Sequence, residues 1–78
     1  MHSYQPIACH IHDTYEIAIM HQTALNLDWR QDGIQHRETV QPLDLCTRDG
    51  AEWLLVRDSK GNTLSIRLDW IREAIPDR

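Results

Sequence analysis

The run LNLDWRQDGIQHRETVQ, residues 25–41, spells a strand, a tight turn and a returning strand. Leu25, Leu27 and Trp29 alternate with Asn26, Asp28 and Arg30, which is the period of a strand with one buried face. Asp32-Gly33 supplies two residues that tolerate positive φ, as a two-residue hairpin turn demands. Residues 34–41 are therefore expected to run back antiparallel to the first strand. Pro42 has no N–H for a ladder and predicts a break or an edge at that point.

Downstream the same grammar repeats. Leu43 and Leu45 restart the alternation in a short third strand, and Asp49-Gly50 turns the chain again. Residues 52–57 follow, with Trp53-Leu54-Leu55-Val56 apolar enough to be buried on both faces. Asp58-Ser59-Lys60-Gly61-Asn62 has loop chemistry. Leu64, Ile66 and Leu68 then alternate with Ser65, Arg67 and Asp69, and Trp70, Ile71 and Ile75 close the chain before Pro76. Five or six short strands joined by tight turns predict a strongly bent antiparallel sheet that closes on itself, over about residues 23–75. The three tryptophans are expected to fill its core.

Upstream the pattern is different. Pro6 biases Gln5 to extended backbone, so residues 4–9 are expected to be extended. Asp13-Thr14-Tyr15-Glu16 has the spacing of a capping box, which predicts a helix over about residues 13–22. Ile17, Met20, His21 and Ala24 are its expected core-facing stripe. Tyr4 and Tyr15 lie outside the sheet and are expected at the surface. The predicted fold class is mainly β, a small antiparallel barrel or sandwich preceded by one N-terminal α-helix. All 78 residues are expected to form one domain, because a chain this short has no room for a second core.

Charge narrows the function classes. Twelve acidic against eight basic residues give a net charge of −4, a poor match for nucleic-acid phosphates and a better one for a basic protein surface. Residues 1–29 hold Asp13, Glu16 and Asp28 with no Lys or Arg at all, so the negative character is concentrated at the start. No secretory signal and no apolar run long enough for a membrane span occurs, so a cytoplasmic location is expected. Cys9 and Cys46 are then expected as reduced, packed thiols rather than a disulfide.

No enzyme chemistry is indicated. Nucleotide-binding glycine motifs and a nucleophile-elbow context are both missing, and so short a chain has little room for a walled pocket. Cys9, His10 and His12, with His2 and His21 nearby, form the one metal-like cluster, but its spacing does not supply a tetrahedral ligand set. No cofactor or metal is expected. The alternative function, a small-barrel RNA-binding protein, would need Arg30, Arg37, Arg48, Arg57 and Arg67 to form one basic patch, and acidic residues interrupt them.

Three groups of residues together resemble the Rof family of Rho-binding antiterminators. They are Tyr4-Gln5-Pro6-Ile7 with Cys9; His12-Asp13 with Glu16-Ile17-Ala18; and, later, Glu52-Trp53-Leu54-Leu55-Val56 with Ile66-Arg67-Leu68-Asp69. The similarity runs over roughly residues 4–75. It implies an Sm-like barrel after a helix, and a monomer that inhibits the transcription termination factor Rho. The implied contact is Rho's primary RNA-binding site in its N-terminal OB-fold domain, where the inhibitor would exclude transcript without itself binding nucleic acid. Carried onto this chain, the resemblance points to Asp13 and Glu16 as binding residues. Tyr4 and Gln5 match the opening motif, and Arg48 and Asp49 in the loop between the third and fourth strands rank next. Where the family commonly carries an acid after the first cysteine, His10 stands here.

Overall fold

The computed structural model describes residues 4–77. One helix, α1 (Cys9–His21), precedes β1 (Leu25–Gln31), β2 (Ile34–Arg48), β3 (Ala51–Arg57) and β4 (Thr63–Arg67). A 3-10 turn (Leu68–Trp70) then leads into β5 (Ile71–Pro76). All neighbouring strands pair antiparallel, in the order β4-β3-β2-β1-β5, so the chain is mainly β with five strands, as expected.

Both Asp-Gly pairs make the turns their chemistry dictates. Asp32 and Gly33 have φ of 53° and 76°, and Gln31 pairs directly with Ile34 across the turn. Asp49 and Gly50 repeat this at 52° and 72°, joining Arg48 to Ala51. Positive φ at both central residues matches the right-handed twist of the flanking strands. In the third loop, Asp58 Oδ1 accepts from the N–H groups of Lys60 and Asn62.

Pro42 does not break the sheet. The two strands expected on either side of it are one 15-residue strand. Its first half pairs with β1 up to Val40, and its second half pairs with β3 from Gln41. Between Pro42 and Asp44 the register shifts, leaving Leu43 as the extra residue of a bulge. A proline tolerates this position because the ladder is interrupted there, and the bulge supplies the bend that carries β2 from one half of the sheet to the other.

Inward-facing residues from every layer form the core: Leu25, Leu27 and Trp29 of β1, Val40 of β2, Leu54 and Val56 of β3, Ile66 of β4 and Leu68 of the 3-10 turn. Each aliphatic side chain buried here contributes about 1.5–3 kcal/mol. Trp29 fills the core as expected, whereas Trp53 and Trp70 are half-buried and meet edge to face, with centroids 5.6 Å apart. On β3 the side chains of Leu54 and Val56 are buried, while Trp53 and Leu55 are intermediate, so the strand is not buried on both faces.

The helix departs most from expectation. It begins at Cys9, with Ala8 as its N-cap and no side-chain cap, so Asp13 lies inside the helix and cannot cap it. Glu16 bonds to His12 instead of reaching back to Asp13. The inward stripe is Tyr15 and Ala18, which are 2% and 4% exposed, while Ile17 and Met20 point outward at 55% and 73%. The reason is packing. Ile7, Ile11 and Tyr15 share an apolar spacing that extends upstream and meets Leu68, Ile71 and Ala74, and the Tyr15 ring offers the larger area to bury. Burial, and then the nearby Tyr4 phenol, pushes the Tyr15 hydroxyl up to about 12. The helix ends where Gln22 adopts φ 55°, its N–H directed at the Ala18 and Ile19 carbonyls.

Cys9 and Cys46 are both free but exposed, not packed: one starts the helix and the other lies on an outward position near the end of β2.

Candidate functional site

Residues 4–7 lie against the 3-10 turn and hold the chain leading into α1. The Gln5 N–H donates to Asp69 Oδ2 at 3.1 Å. Arg67 donates to the same carboxylate twice, Nε to Oδ1 at 2.9 Å and NH2 to Oδ2 at 2.6 Å. The Arg67 guanidinium also lies over the rings of Tyr4 and Trp70, at 5.6 and 5.3 Å. Burial pushes the Asp69 carboxyl up, but the Arg67 hydrogen bonds, the Gln5 amide and the Arg67 charge together outweigh it and hold the group below its ordinary value. Tyr4 is half-buried, with no hydrogen-bond partner for its hydroxyl. Its burial, followed by the charges of Glu52 and Asp69, raises the pKa of the phenol, against a smaller opposing effect of Arg67. Tyr4 and Gln5 thus anchor the entry segment, and neither tyrosine is the free surface group expected.

This fork makes a stability prediction. A carboxyl whose folded value is depressed stabilises the fold above its ordinary value, and that contribution is lost as pH falls through the lower, folded one. Asp69→Asn should lower Tm by about 5–10 °C at neutral pH. The difference from the parent should shrink as pH drops below the carboxylate range, which thermal melts across an acid series will measure.

Asp13 and Glu16 stand on the solvent side of α1, one helical step apart around its surface. The fold adds a third acid that sequence reasoning missed. Glu52 on β3 faces the helix across a shallow depression lined by His12, Glu16, Leu45, Cys46, Thr47 and Glu52. His12 sits between two carboxylates: its Nδ1 is 3.0 Å from Glu16 Oε1 and its Nε2 is 2.8 Å from Glu52 Oε2. Only the first is aligned as a hydrogen bond; the second is a close electrostatic contact, and Glu52 Oε2 has no hydrogen-bond partner. The hairpin register placing Glu52 opposite Thr47 follows from the Asp49-Gly50 turn, but nothing local says that the helix lies over that hairpin.

Arg48 and Asp49 occupy the tip of the same hairpin. Arg48 lies over the Trp53 ring at 4.8 Å, and its Nε is 4.0 Å from Asp49 Oδ2, with both side chains largely in solvent. The structure therefore brings Glu16 and Glu52 together with Asp13 beside them, puts Arg48 and Asp49 at one end of the same region, and gives Tyr4 and Gln5 a supporting place.

The arginines do not gather into one basic patch. Arg37 pairs with Asp28 at 3.5 Å, Arg67 is locked by Asp69 and Arg48 stacks on Trp53. Among the described residues no group of three or more His, Cys, Asp or Glu side chains is arranged to hold a metal ion; His2 of the expected cluster lies outside them. No helix of the described residues is long and apolar enough to cross a membrane.

No protein-family model matches the sequence. A solved structure with a similar fold is proteasome accessory factor B/C (PafBC) of Arthrobacter aurescens, at a TM-score of 0.78 and 23% identity. That match takes in 96% of this chain but only 13% of the other, and it speaks for the fold alone. Protein rof of Escherichia coli (strain K12) is 36% identical over 69 residues, covering 88% of this chain and 77% of that protein. Protein rof of Shigella flexneri matches to the same extent. With this identity spread over most of both sequences, the chain belongs to the Rof family.

Proposed function

We propose that this protein is a non-enzymatic inhibitor of the transcription termination factor Rho, acting by occupying Rho's primary RNA-binding site. The observation that carries the reading is the acidic face built by Asp13 and Glu16 on α1 and Glu52 on β3. The helix contributes no Lys or Arg to it. A surface that normally holds phosphates is cationic, and an anionic protein face complements it and speeds encounter. Family membership supports the same partner. The mechanism is exclusion: while the acidic face covers the cationic groove, transcript cannot enter it. No cofactor and no bond-making step is involved, and the protein acts as a monomer in the cytoplasm.

The test is a titration of Rho with the protein, with and without competing oligo-C RNA. Saturable binding that RNA diminishes is the expected result. No association, or association indifferent to RNA, overturns the reading, as does salt-sensitive retention of RNA by this protein alone.

A further inference from the structure

A cleft of about 620 Å³ runs between α1 and the end of β5, on the side of the helix away from Glu52. Thr14, Ile17, Ala18, Thr23, Pro76 and Asp77 line it. Ile17 is among the apolar side chains that the helix turns to solvent, and with Pro76 and Ala18 it makes the walls largely apolar. Asp77 is the one charged residue among the described residues that line the cleft. Its N–H donates to the Ala24 carbonyl at 2.9 Å, and Asn26 Nδ2 donates to its Oδ1 at 3.3 Å. These bonds hold the residue in place, and Oδ2 makes no hydrogen bond among the described residues.

An apolar trough with a carboxylate at one end, and no lysine or arginine among the described residues that line it, is complementary to a long basic side chain. The methylene stem of a lysine or arginine gains from lying along apolar surface while its head meets an anion. A nucleic acid would bring phosphate to Asp77. A second copy of a chain with net charge −4 would bring further negative charge towards Asp77. We infer that this cleft receives a lysine or arginine side chain of the protein partner, on the same helix that carries the acidic face. The identification of that partner as Rho rests on the function proposed above; the chemistry of the cleft does not.

Two measurements separate those claims. In the first, amide spectra of the full chain are recorded with N-acetyl-arginine amide, N-acetyl-lysine amide and N-acetyl-norleucine amide, the last an uncharged match for the lysine stem. Shifts at Ile17, Ala18, Thr23 and Asp77 are expected with the two basic probes only, and are expected to vanish in Asp77→Asn. Equal shifts with norleucine, or none with any probe, overturn the assignment of the cleft. In the second, Rho is titrated with the parent, Asp77→Asn and Asp77→Lys. Affinity should fall about tenfold for the first variant, the usual effect of removing one charge-assisted hydrogen bond, and further for the second. Failure of the parent to bind Rho overturns the Rho reading while the amide spectra still judge the cleft. Unchanged binding by Asp77→Lys shows that the cleft lies outside that interface and overturns the inference. Sedimentation showing a dimer that Ile17→Ser dissolves also overturns it, assigning the cleft to a second copy.

Discussion

Titrated against Rho, the double variant Asp13→Asn, Glu16→Gln is expected to bind roughly a hundredfold more weakly than the parent and to melt within a few degrees of it. Both substitutions keep the size and hydrogen-bonding shape of the side chain and remove only its charge. A charge-assisted hydrogen bond to a cationic partner is worth about 1.5–3 kcal/mol, so removing two of them at the lower bound costs about 3 kcal/mol, a factor of roughly a hundred. The stability half of the expectation comes from the helix start. Asp13 is not a cap, because α1 begins at Cys9 behind Ala8, and its carboxylate makes no hydrogen bond among the described residues. Glu16 gives up an exposed pairing with His12, an interaction worth little in solvent. Competition with oligo-C RNA and a thermal melt on the same preparation check both halves. Parent-like affinity would show that these charges do not meet Rho; a large drop in Tm would show that they hold the fold.

The second expected result concerns the side chain that seats the helix. Tyr15→Ala should destabilise the protein by about 3–5 kcal/mol, the usual cost of emptying a buried aromatic site. A chain of this size has roughly 4–12 kcal/mol of total stability, so the variant should be largely unfolded near its parent's melting range. Tyr15 is 2% exposed, and Leu68, Ile71 and Ala74 line the same hollow between the helix and the barrel. Loss of the ring frees α1 and with it Asp13 and Glu16, so Rho binding should fall together with the melt. Tyr15→Phe keeps the ring and should retain binding. It should also alter the alkaline limb. A hydroxyl raised from 10.0 to about 12 favours the folded state fully below pH 10, and that contribution is lost as pH climbs through the folded value. Denaturant melts from neutral pH to pH 12 should therefore show the parent losing more stability than the Phe variant. A Tyr15→Ala protein as stable as the parent would mean that the ring is not the anchor.

Much of the scaffold is written locally. The alternation from Leu25 to Trp29, the two Asp-Gly turns and the Asp58–Asn62 loop each act through a few consecutive residues, and each appears where the sequence places it. Pro42 misleads because its lack of an N–H is equally compatible with a chain break and with a bulge inside a continuous strand. Choosing between them requires the partner strands on both sides. The capping-box spacing at Asp13–Glu16 misleads for a similar reason. An Asp three residues before a Glu occurs inside helices as well as at their starts, and the helix starts upstream at Cys9, where Ile7 before it and Tyr15 within it pack on the core.

The candidate site divides along the same line. Its acidic bias, the existence of the helix and the family motifs at Asp13 and Glu16 are properties of neighbouring residues, legible before any fold is known. The outward turn of Ile17 and Met20, the approach of Glu52 to His12 and Glu16, and the placing of Asp77 at a cleft beside the helix are not. Two apolar stripes compete on α1, and periodicity alone ranks them equally. Tertiary packing breaks the tie, because Leu68, Ile71 and Ala74, from the far end of the chain, offer the Tyr15 side a surface to bury against.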